Sequence, residues 1–192
     1  MKFSKQQIID FTILSLRWYL AFYMIDYGWA KMTGGQFGIH DPKLLEKPIK
    51  EVDKFYLAWY LFSLSKSFDI GVGLLQIIGA LLIVINRTML IGALFLLPIL
   101  FQIFLVDVAF TNGFVLPIRL GCMLVSDFII LFYYKDKMLA ALKVLTTNVT
   151  THFKYKWWIY LLMPIVGLLM DIVWAVITFP LHHLLHWITK SW

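Results

Sequence analysis

The sequence is short of charge and nearly devoid of cysteine. Only 15% of its 192 residues are Asp, Glu, Lys or Arg, while 61% are hydrophobic. Soluble domains carry about 25% charged residues, so the shortage excludes an ordinary soluble globular protein. The net charge of +6 does not gather on one face. The basic residues lie between apolar runs, where they meet lipid headgroups, and the partner they imply is the lipid bilayer, not nucleic acid. Cys122 is the lone cysteine. It excludes an intrachain disulfide and a CxxC redox pair, and within its apolar run it reads as a small packing residue. A Walker loop, a dinucleotide-binding glycine pattern and a nucleophile elbow are all missing. The five histidines fall in loops or in the tail, so no axial haem ligand is expected within the apolar runs. Arg17 interrupts the first apolar run and no A-x-A site follows it, so that run is expected to be retained.

What the chain does have is hydrophobic length. A spanning helix needs about 20 mostly apolar residues, and five stretches qualify: about 8–29, 68–85, 88–110, 115–134 and 157–179. The breaks Asn86-Arg87 and Thr111-Asn112-Gly113 are short enough to force antiparallel neighbours. The fold expected is all-α, a polytopic membrane bundle with four core helices over 1–134. Residues 135–192 add a lysine-rich surface loop, a fifth span and a His-rich tail. Residues 47–66 and the segment KDKMLAALKVL read as interfacial amphipathic helices, as does the tail, with Trp187 and Trp192 as anchors. The Lys and Arg residues divide almost evenly between the two sides and leave the orientation open.

Several polar groups lie inside these spans, where a charge at the centre costs about 2.5–3.5 kcal/mol. At about 1.5 Å per residue, Arg17, Gln76 and Asp127 fall roughly 10–13 Å from one side. Asp26, Asp69, Gln102, Asp107, Arg119 and Asp171 lie roughly 21–28 Å from it, with Lys31 just beyond at the water boundary. The expectation is two stacked layers in which acids and bases meet across neighbouring helices, with an Arg119 fork holding one or two carboxylates. Helical phase sets Arg17, Ala21, Met24, Gly28 and Lys31 on one stripe, and Asp69, Gly73, Gln76 and Ala80 on another. Small residues between the polar ones let helices approach closely. Asp26 is about 180° from Arg17 and is expected to join Tyr23 and Tyr27 against another helix. The layers either fix helix register or line a small cavity open to one membrane face.

Arg17, the Gly28-x-x-Lys31 motif and the second span GVGLLQIIGALLIVINR, with Gly73, Gly79-Ala80 and Arg87, resemble the DoxX-like family of small membrane proteins over roughly residues 8–134. Gln76 stands where that family usually carries Glu, which replaces an ionisable group by a neutral one. The resemblance implies a four-helix core. It also implies kinship with the small subunit of thiosulfate:quinone oxidoreductase, with redox-associated bacterial membrane proteins, and with receptor-assembly chaperones and cargo receptors. The fifth span and tail lie beyond it.

In the tail, His182 and His186 share a helix face at i, i+4 spacing, which suits a metal. No acid or cysteine nearby completes a site, so they read as interfacial polar residues. Trp59, Tyr60, Tyr23 and Tyr27 could flank a flat ligand such as a quinone. The expected function is an accessory protein or subunit of a quinone-linked redox system in a bacterial inner membrane, with no tightly held cofactor and with other membrane protein subunits as partners. A non-enzymatic assembly factor is one alternative. A small-solute or proton-coupled carrier is another, though the spans show no inverted repeat or broken helix pair.

Overall fold

The computed structural model describes residues 4–38, 44, 46–147 and 154–190, with the side chains at 171, 174 and 181–190 outside the description. Its regular elements are α1 (Lys5–Met32), a 3₁₀ turn (Ile49–Glu51), α2 (Lys54–Ser63), α3 (Lys66–Val84), α4 (Met89–Phe110), α5 (Val115–Tyr133), α6 (Lys135–Thr146) and α7 (Trp157–Lys190). Among the described residues there is no strand. Five helices are long and apolar enough to cross a membrane: α1, α3, α4, α5 and the Trp157–Pro180 part of α7. The chain thus has the make-up of a multi-pass membrane protein, with each span within a few residues of its expected bounds.

The helix ends follow from local chemistry. Ser4 and Gln7 form a reciprocal capping box at the start of α1, which satisfies two amides that would otherwise lack partners. Asp53 caps α2 by accepting from the Phe55 N–H at 2.9 Å. That bond, with the Asn112 side-chain amide, holds the Asp53 carboxyl below its ordinary value. Ser65 caps α3 by accepting from the Phe68 N–H at 3.3 Å. Pro117 falls in the first turn of α5, where its missing N–H leaves no bond unmade.

The chain forms two compact units, 1–144 and 145–192. In the first, α1 packs on α3 and α5, and α4 packs on the same two helices, a square of four. Leu20, Met24, Ile83, Leu96, Leu100, Leu120, Met123 and Ile130 are fully buried at its centre. Trp18, Phe22, Trp29, Phe101, Phe128 and Phe132 are exposed on its outer faces, as lipid-facing positions should be. Hydroxyls on the spans bond carbonyls of their own helices. Thr12 donates to Ile8, Ser15 to Phe11 and Ser126 to Cys122, so they add no unpaired donor in hydrocarbon.

Three local expectations are corrected. Cys122 is exposed on α5 and is not a packing residue. The 47–66 segment is helical only in part: a 3₁₀ turn at Ile49–Glu51 precedes α2, which packs against α3 and α4. In the second unit the tail does not form a helix of its own, because α7 runs unbroken to Lys190 through Pro164 and Pro180.

Candidate functional site

Both predicted stripes are buried. Arg17, Ala21, Met24, Gly28 and Lys31 form the buried face of α1, and Asp69, Gly73, Gln76 and Ala80 lie on that of α3. The apolar and polar periodicity of each helix selects these faces. Glycine sets how near they come: a Cβ on Gly28 would sit 2.6 Å from the Gly73 carbonyl oxygen. At this crossing the two backbones touch.

The first layer differs from expectation. Arg17 is 4% exposed, and its partners are not acids. Its Nε donates to the Ile83 carbonyl at 2.8 Å, and its Nη2 donates to the Val84 carbonyl and to Asn86 Oδ1. These carbonyls end α3, where backbone acceptors lack helical partners and the helix dipole is negative. Gln76 is not at this level. Its Nε2 lies 3.7 Å from Met24 Sδ, two helical turns or roughly 10 Å from Arg17. Asp127 does share the height of Arg17, as the Asp10–Tyr133 and Tyr27–Arg119 bonds between α1 and α5 require. The two nevertheless do not meet. Asp127 is fully buried, and neither of its oxygens has a hydrogen-bond partner among the described residues.

Such a group weakens the fold unless something else uses it, because an unsatisfied buried polar group costs about 1–3 kcal/mol. Asp127→Leu is therefore expected to raise the stability of the bundle by about 1 kcal/mol. Detergent-denaturation midpoints of the full chain measure this; a lower midpoint would show an unseen partner for the carboxyl.

The second layer is assembled at the other end of the bundle. Lys31 is covered by protein, 3% exposed. Its Nζ donates to Gln36 Oε1 at 2.8 Å and lies 5.4 Å from the Phe37 ring centroid and 5.8 Å from that of Tyr27. Asp107 and Asp69 are the charges that act on it. Asp69 is 3% exposed and its Oδ1 has no hydrogen-bond partner among the described residues, while Asp107 is 7% exposed. One base thus faces two acids. Gly34, with φ of 78°, takes the left-handed conformation that glycine permits. It turns the chain after α1 so that Gln36 and Phe37 fold back over Lys31. The Gly38 N–H then donates to the Trp59 carbonyl at 3.1 Å, which ties this turn to α2.

Two chambers open here. The inner one, about 110 Å³, is bounded by Lys31, Gln102, Asp107 and the rings of Phe37, Trp59, Phe62 and Phe68. The outer one, about 280 Å³, is bounded by Asp26, Tyr27, Phe55 and Leu116. Gln36, Trp59, Ile103 and Asp107 border both. The rings form one continuous wall, with Phe55 stacked on Trp59 at 4.2 Å and Phe62 on Phe68 at 5.7 Å between centroids.

Asp26 is exposed on α1 and borders the outer chamber with Tyr27, beside residues of α2, α4 and α5. Among the described residues, Arg119 holds no carboxylate. It donates to the Tyr27 hydroxyl at 3.5 Å, with its guanidinium 5.6 Å from the Tyr23 centroid. Gln102 is exposed yet borders the inner chamber, whereas Tyr60 is exposed and borders neither. Asp171, His182 and His186 lie on α7, where side chains fall outside the described residues. Among the described residues, no group of three or more His, Cys, Asp or Glu is arranged to hold a metal ion. Sequence reasoning missed Gln36, Phe37, Phe62 and Phe68. The i, i+4, i+7 spacing of Phe55, Trp59 and Phe62 was a readable signal for one aromatic face.

No family model matches the chain, and no solved structure matches it. The chain is similar to an uncharacterized protein of Bacillus subtilis (strain 168), YwoB, with 34% identity over 99 residues. The match covers 52% of this chain and 62% of that protein.

Proposed function

We propose that this chain is an accessory protein or subunit of a quinone-linked redox system in a bacterial inner membrane, and that the inner chamber receives a planar, lipid-soluble carbonyl compound, a quinone head. The observation that carries this reading is a buried ammonium, that of Lys31, beside a wall of four aromatic rings. A flat ring stacks on Trp59 or Phe62. Its carbonyls accept from Lys31 and from the Gln102 amide, and a charged donor strengthens such a bond. About 110 Å³ accommodates one ring. The redox setting is supported by the resemblance of Arg17, Gly28-x-x-Lys31 and the α3 sequence to DoxX-like proteins.

The test uses the purified full chain in mild detergent. Mass spectrometry of co-extracted molecules and titration with a short-chain quinone, read by tryptophan quenching, should both report binding. The quenching should be saturable and should fall sharply in Trp59→Phe. Lys31→Met should weaken binding by about 10-fold or more, the loss of one charged hydrogen bond. Unsaturable quenching, or quenching indifferent to Lys31→Met, ends this reading.

A second reading, a non-enzymatic subunit or assembly factor, is favoured by Asp26. Asp26 is exposed on a spanning helix and lines a surface depression with Trp18, Phe22 and Trp29. A partner membrane protein covering this face would shield it. Stable co-purification with such a protein, lost in Asp26→Leu, would support that reading over the first.

A further inference from the structure

We propose that the groove between α1 and α5, at the end of the bundle opposite Lys31, binds an anionic phospholipid, with one acyl chain in the groove and the phosphate at Lys135. The groove measures about 590 Å³, and its walls are Ile8, Ile9 and Ile13 of α1 and Val125, Ile129 and Phe132 of α5. Thr12 also borders it, but its hydroxyl is committed to the Ile8 carbonyl. The walls therefore offer nothing polar along their length. From Val125 to Phe132 the groove runs roughly 10 Å at the helical rise, within the roughly 15 Å depth of one hydrocarbon leaflet.

One end differs from the rest. There the Tyr133 hydroxyl donates to Asp10 Oδ1 at 2.7 Å, and Gln6 Nε2 donates to both at 2.9–3.0 Å. This bridge closes the groove. Just above it, Lys135 Nζ lies 4.8 Å from the centroid of Phe132, a ring of the groove wall, and Lys137 Nζ lies 5.5 Å from that of Tyr134. Lys5 starts α1 one turn before Ile8. Against these three bases stand Asp10, already bonded, and Asp136. The rim thus carries excess positive charge where a headgroup phosphate would lie.

The wall composition decides between a lipid and a helix as occupant. Helices that pack closely in membranes present small residues to each other. This groove presents Ile, Val and Phe, which suit a flexible acyl chain. The lysines favour an anionic headgroup over a zwitterionic one, whose own cation would meet them.

The test is native mass spectrometry of the full chain in mild detergent, titrated with phosphatidylglycerol or with phosphatidylcholine. Phosphatidylglycerol should bind more tightly. Replacing both Lys135 and Lys137 by Gln should weaken it roughly 30-fold, about fivefold per lysine near the surface, and leave phosphatidylcholine unchanged. Ile129→Trp should fill the groove and abolish the phosphatidylglycerol preference. Val125→Trp fills the same groove one turn away and serves if the first variant does not fold. Equal binding of the two lipids, a preference that survives groove filling, or a dimer that disappears with Ile129→Trp would each overturn the proposal.

Discussion

Arg17→Met is expected to destabilise the bundle by about 3 kcal/mol, because it strips two buried carbonyls of their donor at about 1–3 kcal/mol each. The loss is not offset by relief of a buried charge. In a separated α1 helix the guanidinium meets hydrocarbon, where it costs about 2.5–3.5 kcal/mol. In the assembled bundle it meets the carbonyls of Ile83 and Val84 and the side chain of Asn86. Arg17 therefore favours docking of α1 on α3. Arg17→Lys should recover part of the loss, since one ammonium cannot reach all three acceptors in the forked geometry of a guanidinium. Denaturation of the full chain in mixed micelles measures both variants. An unchanged midpoint for Arg17→Met would show that the end of α3 does not need this donor.

Arg17 is one instance of a wider arrangement. Lys66 Nζ donates to the Met32 carbonyl at 2.7 Å, and Lys54 Nζ donates to the Ala109 carbonyl at 2.8 Å. Bases thus serve the carboxyl ends of α1, α3 and α4. Asp53 caps the start of α2, and Asp69 lies in the first turn of α3. Each charge stands at the helix end whose dipole it offsets. Two buried acids break this pattern. Asp107 lies near the negative end of α4, and Asp127 lies mid-helix with no hydrogen-bond partner among the described residues. Neither is explained by helix-end electrostatics. Asp107 borders both chambers, and Lys31 borders the inner one with it.

This also explains what the sequence could convey. The buried stripes of α1 and α3 were legible because side chains three and four apart share a face. The partner of Arg17 was not, because backbone carbonyls at a helix end have no letter in the sequence. The depth of Gln76 departs from its residue count for a geometric reason. Counting from each helix's own end assumes that the ends are flush, yet α3 stops level with Arg17 while α1 continues to Lys5. The burial of Lys31 depends on the turn at Gly34, whose backbone conformation brings Gln36 and Phe37 over it. The aromatic wall draws on α2, α3 and the loop before them, so only tertiary packing joins it.

The glycine crossing of α1 and α3 should produce the other large effect. A Cβ on Gly73 would lie 2.5 Å from the Gly28 carbonyl oxygen, and one on Gly71 would meet nothing within 4 Å. The two positions are on the same helix, so they separate packing from propensity. Gly71→Ala should stabilise the chain by up to about 1 kcal/mol, the ordinary preference of a helix for Ala. Gly73→Ala gains the same propensity but forces two backbones apart, and overpacking of that kind costs about 1–3 kcal/mol or more; Gly73→Leu should exceed it. Function should follow geometry. Lys31 on α1 faces Asp69 on α3 just beyond this crossing, so a wider spacing draws the ammonium away from the acids and from the inner chamber. Gly73→Ala should then weaken the proposed quinone binding along with stability, while Gly71→Ala leaves it unchanged. Equal midpoints for the two variants would mean that the backbones do not touch, and the placement of Lys31 would lose its cause.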